Sequence, residues 1–332
     1  MLLTLTSVII FNIALFLCNN FIAKLFNIYD YPDKVRKFHK KPVPITGGLF
    51  LYLNTVLYFV IQILFFEKNL FFENVNYIYI FLFFCTVFFL LGFVDDKYDI
   101  NSNLKFFLTL IFTAGILFLD NTLIISNVKF SFINFNLNIF SIPWTILCFL
   151  LFINSFNMFD GFNLQNATYS IFLLIVLIFQ SQNDYFLFFI SVPIILFGLL
   201  NYFNKSFMGD SGTYLMSFIF ACLFIKSYNY GNIEFVGEIV CLMIIPGIDL
   251  MRLFIQRIVL YKKSPFGADR HHLHHYFLNN FSKNKTLLYL NILIILPYLM
   301  GKFLFGFLTV IIFQLIIYFL ILFKIKKTKS LL

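Results

Sequence analysis

The sequence is poor in charge, in paired cysteines and in repeats. Charged residues make up 12% of its 332 residues and hydrophobic residues 61%, whereas soluble domains are about 25% charged and about 45–50% apolar. The five cysteines lie singly in apolar runs without Cys-x-x-Cys spacing, which favours small core residues over disulfides or metal ligands. The sequence contains no internal repeat, so it does not suggest an inverted-repeat transporter. Together these absences exclude a soluble enzyme, a secreted disulfide-rich domain and a disordered chain.

Long apolar runs are the main feature of the sequence. A helix rises about 1.5 Å per residue, so about 20 residues cross the hydrocarbon of a bilayer. We therefore predict an all-α polytopic integral membrane protein with about eleven transmembrane helices, or ten if the last two runs are counted differently. The first run lacks a preceding basic segment and a cleavage site, which favours a retained span. The predicted spans are residues 4–26, 45–66, 77–94, 105–120, 142–157, 168–181, 186–203, 212–229, 235–258, 286–300 and 303–323.

The basic residues indicate how these spans are oriented. With the N-terminus outside and the spans alternating, 20 of the 24 Lys and Arg residues lie on the inner side and 4 on the outer side. This bias predicts an N-terminus outside and a C-terminus in the cytoplasm. The net charge of +9 is then expected to meet anionic lipid headgroups, and no nucleic acid partner is expected.

Five polar segments fall at the inner ends of the predicted spans. Their location on one face predicts one site, built from cytoplasmic loops of a single transmembrane domain that covers residues 1–332. The segments are residues 33–48, 95–105, 154–166, 204–213 and 262–276.

Two of these segments carry carboxylates that favour a metal site. Asp95 and Asp96 are adjacent at a membrane boundary, a costly arrangement unless a metal or a cation balances it. Asp210 precedes a span and so lies near a helix N-terminus, where the alternative role is a simple N-cap. Carboxylate oxygens suit Mg²⁺, which commonly bridges to substrate phosphates. The alternative for the Asp pair is a solvated turn at a helix end.

The third segment places amides and a carboxylate inside an apolar run. On a helix, Asn154, Asn157 and Asp160 fall at positions i, i+3 and i+6, near one face. Polar residues within a span are candidates for function. The alternative is hydrogen bonding between helices.

The remaining two segments are cationic. Four of the five histidines lie between residues 271 and 275 without a cysteine, so Arg270 and the imidazoles favour a phosphate or diphosphate clamp over a transition-metal site. The alternative is a solvated basic loop. Residues 36–48 combine basic side chains with Pro-x-Pro and Gly-Gly, which predicts a specified loop backbone that leads into a span.

Acidic segments suited to Mg²⁺ and cationic segments suited to phosphate are therefore predicted at one membrane face. This combination favours phosphoryl transfer from a soluble nucleotide-linked donor to a lipid acceptor. A transporter and a non-catalytic membrane scaffold are the competing classes. A transporter is expected to carry ionisable residues near mid-span, and a scaffold gives no reason for the acidic and histidine segments to occur together.

Taken in order, the five segments resemble those of the polyprenyl-phosphate N-acetylhexosamine-1-phosphate transferase superfamily (glycosyltransferase family 4). The Arg-Lys-x-His-x-x-Pro-Val-Pro-x-x-Gly-Gly segment at 36–48 and the Asp-Arg-x-His-Leu-His-His segment at 269–275 are similar to WecA and TagO rather than to MraY. Transfer of a phospho-MurNAc-pentapeptide in peptidoglycan synthesis, the MraY reaction, is the nearest alternative.

The resemblance implies a reaction and a location. An N-acetylhexosamine-1-phosphate, with GlcNAc as the first expectation, passes from a UDP-sugar to undecaprenyl phosphate and UMP is released. This would be the first membrane step of a cell-surface polysaccharide of the O-antigen (lipopolysaccharide), common-antigen or teichoic-acid type. The implied location is the bacterial cytoplasmic membrane, the implied cofactor is Mg²⁺ with Mn²⁺ as a substitute, and a homodimer is compatible with the sequence.

The resemblance also implies roles for individual residues. Asp210 is expected to be a metal ligand with Asp95 or Asp96 assisting, while the other member of the pair positions or deprotonates the lipid phosphate. Asp160, which is counted as catalytic with Asp95 and Asp96, and Asn157 are expected to orient the nucleotide or support the metal site. The site residues that complete the prediction bind the substrate or contact phosphate. They are Asn154, Asn157, Arg270, His272, His274, His275, Lys105 and Lys41.

Overall fold

The computed structural model describes residues 2–32, 41–65, 75–181, 185–262, 264–267 and 270–329. Over these ranges the chain forms thirteen α-helices and two short antiparallel strand pairs, β1–β2 and β3–β4. The helices are α1 (Leu2–Leu17), α2 (Asn19–Phe26), α3 (Gly47–Phe65), α4 (Val75–Tyr98), α5 (Ser102–Leu119), α6 (Ser141–Met158), α7 (Gln165–Ser181), α8 (Tyr185–Tyr202), α9 (Gly209–Asn229), α10 (Val236–Ile255), α11 (Leu273–Leu278), α12 (Lys283–Met300) and α13 (Phe307–Lys329). The strands are β1 (Tyr29–Asp30), β2 (Val43–Pro44), β3 (Asn127–Lys129) and β4 (Asn134–Asn136).

The helices confirm an all-α polytopic membrane protein. Seven helices of the described chain are long and apolar enough to cross a membrane, and α1 with α2 form an eighth candidate that is bent by 64°. Each predicted span coincides with a helix, and the first coincides with the bent pair. The apolar criterion does not select α10, which holds the charged residues Glu238, Asp249 and Arg252.

The chain is organised in two compact units, each built from two stretches of sequence. The first unit comprises Met1–Ile124 and Phe162–Asn232, and the second comprises Ile125–Gly161 and Ile233–Leu332. The prediction of one domain over residues 1–332 did not anticipate this division. The chain crosses from one unit to the other within continuous apolar or polar segments. No change in amino-acid composition therefore marks the unit boundaries.

Helix α9 is the centre of the first unit. Its side chains from Ser211 to Ser227 are all buried, as expected for a helix that is apolar on every side. Helix α4 packs along it through stacked rings, with ring centroids 4.5 Å apart for Phe88 and Phe218 and 5.6 Å apart for Phe81 and Phe218. Such offset aromatic pairs add to the stabilisation from buried area.

Glycines let three backbones meet at the start of α9. A Cβ atom on Gly92 of α4 would lie 2.2 Å from the carbonyl oxygen of Asp210, and one on Gly48 of α3 would lie 2.3 Å from the amide nitrogen of Gly212. Both distances are far shorter than a van der Waals contact, so any side chain would push these helices apart. The glycines therefore place the first turn of α9 directly against α3 and α4.

The second unit is built on α10, which packs against α6, α12 and α13. Two buried charged networks lie along α10. At one end, Glu238 accepts hydrogen bonds from the Tyr298 hydroxyl at 2.6 Å and from Lys302 at 3.2 Å. At the other end, Asp249 and Arg252 form an ion pair with a separation of 2.8 Å. Buried charges of this kind persist only when each is paired and hydrogen-bonded.

The close contact at Gly92 makes a stability prediction. Gly92→Ala should lower the melting temperature of the detergent-solubilised protein, because overpacking of a tight contact costs about 1–3 kcal/mol. Gly198→Ala is the matched control, since a Cβ atom there would meet its nearest neighbour at 3.7 Å, an ordinary contact. Thermal unfolding followed by size-exclusion chromatography measures both variants. Equal melting temperatures for the two variants would contradict the close approach of α4 to α9.

Candidate functional site

Four predicted site residues meet at one end of the first unit. Asp95 and Asp96 lie in the last turn of α4, Lys105 lies in the first turn of α5, and Asp210 lies in the first turn of α9. The sequence prediction that Asp210 lies at a helix N-terminus is confirmed. Three carboxylates and one ammonium group thus come from three separate helices.

Asp96 holds the start of α9. Its Oδ1 atom accepts a hydrogen bond from the backbone N–H of Asp210 at 2.7 Å, and its Oδ2 atom accepts one from Ser211 at 3.0 Å. Gly209 makes this geometry accessible, because its φ is +72° and a Cβ atom there would lie 2.6 Å from Asp96 Oδ2. A carboxylate that receives free N–H groups at a helix N-terminus is stabilised by the helix dipole as well. The sequence did not predict this capping role.

Lys105 forms an ion pair with Asp95, the neighbour of Asp96 in the sequence. Its Nζ atom donates to Asp95 Oδ2 at 2.6 Å and lies 3.7 Å from Asp210 Oδ2. The second oxygen of Asp95 accepts the backbone N–H of Ile100 at 2.8 Å. The Asp95 side chain is 3% exposed and that of Asp210 is 36% exposed, so Asp210 is the carboxylate of this group that solutes can reach.

The carboxylates exceed the positive charge beside them. Partial desolvation by the surrounding protein, a hydrogen bond with the Asp95 carboxyl group and the charge of Asp96 raise the pKa of Asp210 well above its ordinary value, and Lys105 opposes the shift only in part. Like charges held this close favour either a proton or a cation between them. The geometry therefore leaves a local excess of negative charge at Asp210.

This donor set fits a magnesium ion that is shared with a substrate. No group of three or more His, Cys, Asp or Glu side chains in the described parts of the chain forms a complete metal-ligand set. Mg²⁺ is commonly held by one or two carboxylates, with water and substrate phosphates as its other ligands. Asp210 could supply one of those carboxylates. Asp95 or Asp96 could assist through a remaining lone pair, since each oxygen of that pair already accepts one hydrogen bond.

The loop before α3 is hydrogen-bonded to the chain at the same end of the first unit. Phe207 donates its N–H to Pro44 at 2.8 Å, and Gly47 and Gly48 donate theirs to the carbonyl oxygens of Phe207 and Met208 at 3.0 Å. The backbone of residues 42–48, which holds the Pro-x-Pro and Gly-Gly steps, thus packs against the segment that leads into α9. Lys41, at the start of this described stretch, is exposed. The basic residues 33–40, which the sequence analysis included in this loop, lie outside the described residues.

The second unit holds the amide and histidine segments. Asn154 and Asn157 lie on α6, and the Asn154 side chain donates to the carbonyl oxygen of Leu150 at 2.7 Å. Helix α6 ends at Met158, so Asp160 follows the helix and is exposed. The expectation that Asp160 continues one helix face was therefore wrong, because the chain turns before the Asp-Gly step.

The Asp-Gly step meets the histidine segment directly. A Cβ atom on Gly161 would lie 2.1 Å from Nε2 of His274, so only glycine leaves room for that imidazole. The rings of His272, His274 and His275 form one group, with centroids 5.4 Å apart for His272 and His274 and 4.2 Å apart for His274 and His275. Two of the five predicted segments thus meet in this unit.

The imidazoles differ in their surroundings. His274 is buried, and desolvation followed by the charges of His275 and His272 lowers its pKa well below the ordinary value. His274 is therefore neutral at physiological pH and packs against Gly161 rather than carrying positive charge. His275 is partly buried and Arg270 is exposed. The predicted loop becomes helical at Leu273, where α11 begins.

Sequence reasoning missed three residues that hold the histidine segment. Asp249 and Arg252 of α10 and Tyr318 of α13 are buried, and Asp249 Oδ2 lies 3.1 Å from Nδ1 of His272. The signal was present, since an acidic and a basic residue stand at i and i+3 within an apolar run. Charged residues inside a span are candidates for function, but these three lie outside the five polar segments at the span ends.

The predicted site residues therefore fall into two groups, one in each unit. The first unit brings together Asp95, Asp96, Lys105 and Asp210, with Lys41 at the edge of the adjoining loop. The second unit brings the Asp160–Gly161 step to the histidines. Its predicted residues are Asn154, Asn157, Asp160, Arg270, His272, His274 and His275.

Comparison with known proteins finds membrane transferases. A family model described as glycosyl transferase family 4 matches residues 78–228. The chain is 27% identical over 269 residues to the undecaprenyl-phosphate alpha-N-acetylglucosaminyl 1-phosphate transferase of Thermotoga maritima, covering 81% of this chain and 79% of that protein. Relatives with the same description occur in Yersinia pestis, at 24% identity over 81% of this chain and 74% of that protein, and in Escherichia coli K12, at 25% identity over 76% and 70%.

The excess negative charge at Asp210 makes a prediction about stability. In the absence of divalent cations, Asp210→Asn should raise the melting temperature, because it removes repulsion among three carboxylates and leaves the Lys105–Asp95 pair intact. Asp96→Ala should lower it, because two backbone N–H groups of α9 lose their acceptor at about 1–3 kcal/mol each. Differential scanning fluorimetry in EDTA measures both variants. A fall of equal size in the two would contradict the different roles assigned to them.

Proposed function

We propose that this chain, which belongs to glycosyl transferase family 4, transfers N-acetylglucosamine-1-phosphate from UDP-N-acetylglucosamine to undecaprenyl phosphate and releases UMP. The single observation that carries the proposal is the acidic cluster, in which α4, α5 and α9 hold Asp95, Lys105 and Asp210 against one another. The descriptions of the relatives name undecaprenyl phosphate as the acceptor and the N-acetylglucosaminyl 1-phosphate group as the one transferred. Both agree with phosphoryl transfer at this cluster.

The acidic cluster would hold Mg²⁺ through Asp210 and Asp95. A divalent cation there supplies Lewis-acid stabilisation of the charge that develops on the donor diphosphate. Lys105 keeps Asp95 ionised and oriented through its 2.6 Å contact. Asp96 positions Asp210 by fixing the start of α9, so its role in the reaction is indirect. Deprotonation or positioning of the lipid phosphate then falls to a carboxylate of the Asp95–Asp210 group.

The histidine segment would bind the donor diphosphate. Arg270 and His275 are the side chains that can present N–H donors to phosphate oxygens, and charged donors make the stronger hydrogen bonds. His272 would contact the nucleotide-sugar through its other ring nitrogen. His274, which is neutral and packed on Gly161, would act as support for that set. Asn154, Asn157 and Asp160 would contact the nucleotide. The exposed Lys41 and the partly buried Lys105 would contact phosphate at the edge of the acidic cluster. Mn²⁺ is expected to substitute for Mg²⁺, since carboxylate and phosphate oxygens suit both ions.

The proposed donor is soluble and the proposed acceptor is a membrane lipid. The orientation of the protein therefore decides from which side of the membrane the soluble donor reaches the site. We place the N-terminus outside, the C-terminus in the cytoplasm and the site at the inner face of the bacterial cytoplasmic membrane, with eleven spans. The distribution of 20 and 4 basic residues supports this orientation. The reaction would begin the synthesis of a cell-surface polysaccharide of the O-antigen, common-antigen or teichoic-acid type, and a homodimer is compatible with it.

The reaction itself is tested with detergent-purified protein, undecaprenyl phosphate, Mg²⁺ and a panel of UDP-N-acetyl-sugars. We expect UMP release and a lipid-linked product that require the lipid and one donor, UDP-N-acetylglucosamine. EDTA should abolish both, and Mn²⁺ should restore them. Asp210→Asn should lower the rate by at least about 100-fold, as expected for a group that acts on the charge developing in the transition state.

The matched control for this assay is Glu234→Gln. It removes a carboxylate that is exposed and paired with the exposed Lys129 at 3.0 Å, so the rate should stay within about twofold of wild type. Preference for UDP-MurNAc-pentapeptide over UDP-N-acetylglucosamine would favour the MraY-like alternative. Absence of UMP release with every donor, from folded protein with lipid present, would overturn the proposed function.

The orientation is tested by cysteine labelling in a variant that lacks the five native cysteines. A membrane-impermeant maleimide should label Lys129→Cys in intact cells and Lys97→Cys only after permeabilisation. Both positions are accessible in the structure, since Lys97 is exposed and 45% of the Lys129 side chain is exposed. The opposite pattern would contradict the orientation. Labelling of site residues from both sides would favour a transporter.

A further inference from the structure

A buried carboxylate on α10 is bonded to the histidine segment. Asp249 Oδ2 lies 3.1 Å from Nδ1 of His272 and 3.1 Å from the backbone nitrogen of Leu273, the first residue of α11. Only 9% of the Asp249 side chain and 10% of the His272 side chain are exposed. Neither role assigned so far, metal binding or nucleotide contact, explains why a charged residue stands at this depth in an apolar helix.

The other oxygen of Asp249 is held by two side-chain donors, and it also lies 3.2 Å from the backbone nitrogen of Leu273. Oδ1 accepts the Arg252 Nη2 atom at 2.8 Å and the Tyr318 hydroxyl at 2.7 Å, and Arg252 Nε also donates to that hydroxyl oxygen at 2.8 Å. Arg252 is always charged, so it holds Asp249 as a carboxylate. An ionised carboxylate accepts hydrogen bonds and donates none. Nδ1 of His272 must therefore carry the proton that lies between them.

Protonation at Nδ1 determines what the rest of the ring presents. When one ring nitrogen of a histidine donates to a carboxylate, the tautomer and the ring orientation are set, and the other nitrogen faces the ligand. For His272 that other nitrogen is Nε2. With the proton on Nδ1, Nε2 is the acceptor of the imidazole ring.

We propose that Asp249 is a positioning residue for the transfer reaction, which fixes His272 with Nε2 as a hydrogen-bond acceptor for a hydroxyl or amide N–H group of the nucleotide-sugar donor. The inference rests on the proposed function and adds to it a residue that acts through His272. Because Asp249 also accepts the N–H of Leu273, it sets the start of α11. Ring and helix are therefore oriented by one carboxylate.

The proposal makes a specific prediction for Asp249→Asn. Arg252 and Tyr318 both donate toward the Oδ1 position, so the amide oxygen of the new side chain must face them. The amide NH₂ group then faces Nδ1 of His272 and donates to it. The N–H of Leu273 keeps the amide oxygen as its acceptor, since it lies 3.2 Å from the Oδ1 position. His272 is forced into the tautomer with the proton on Nε2, the reverse of the wild-type arrangement.

The first readout is spectroscopic and needs no activity. In protein labelled with ¹⁵N-histidine, the His272 signals are identified by their loss in His272→Asn. We expect Nδ1 to be protonated in the wild type and Nε2 to be protonated in Asp249→Asn, by their ¹⁵N chemical shifts. An unprotonated Nδ1 in the wild type would overturn the proposal, whatever the stability of any variant.

The second readout is kinetic. Asp249→Asn should lower kcat/KM for the UDP-sugar by about 10- to 100-fold, the usual cost of losing a residue that orients a ligand-binding histidine, with a smaller change in KM for undecaprenyl phosphate. In the His272→Asn background the same change should have no further effect, because Asp249 acts through His272. Effects that multiply would show that Asp249 acts elsewhere and would overturn the proposal.

The chain supplies a matched control on the same helix. Glu238 is also a buried carboxylate of α10 that is bonded to a tyrosine and a basic residue, Tyr298 and Lys302, and it lies in the first turn of the helix. Glu238→Gln should leave kcat/KM within about threefold of wild type and leave the His272 signals unchanged. A loss of kcat/KM equal to that of Asp249→Asn would show that changing any buried carboxylate of α10 damages the helix. That result would overturn the proposal. Wild-type protein without UMP release would instead refute the proposed function, while the ¹⁵N readout would still decide the Asp249–His272 link.

Discussion

The acidic cluster depends on the contact between Asp96 and the first turn of α9. Two backbone N–H groups point at the two oxygens of one carboxylate, and this contact joins the end of α4 to the start of α9. Glycine at position 92 lets the backbones approach, and the positive φ of Gly209 lets the chain enter the helix beside the carboxylate. Once the helices are joined in this way, Asp210 lies beside Asp95 and Lys105. The proposed function of the site thus depends on a helix cap, because the cap sets where Asp210 lies.

The second unit uses the same interaction at another helix. Asp249 of α10 accepts the first N–H of α11 and the Nδ1–H of His272, as Asp96 of α4 accepts the first N–H groups of α9. In both cases a carboxylate near the end of a long apolar helix orients a shorter functional segment. A buried charge is costly, and each aspartate offsets that cost with backbone or arginine donors. The charges that appear misplaced in an apolar run are therefore the ones that orient the reactive groups.

Much of this arrangement was predictable from local sequence. The apolar runs located the helices, and the position of Asp210 before a run predicted its place in the first turn of α9. Three findings were not predictable in that way. The capping by Asp96 depends on the angle between α4 and α9, the role of Asp249 depends on a contact with a segment 23 residues away, and the end of α6 before Asp160 depends on a turn that no proline marks. Each depends on tertiary packing, which cannot be read from the spacing of apolar residues or from the amino-acid composition.

The central claim is that a sugar-phosphate, and not a sugar alone, is transferred to the lipid. Donor labelled with ³²P at the β-phosphate distinguishes these two reactions, because the bond that breaks differs. Cleavage between the α- and β-phosphates leaves the label on the lipid product and releases unlabelled UMP. Cleavage between the β-phosphate and the sugar leaves the label in soluble UDP. We predict that the label moves quantitatively to the lipid, and its retention in the nucleotide product would contradict the account.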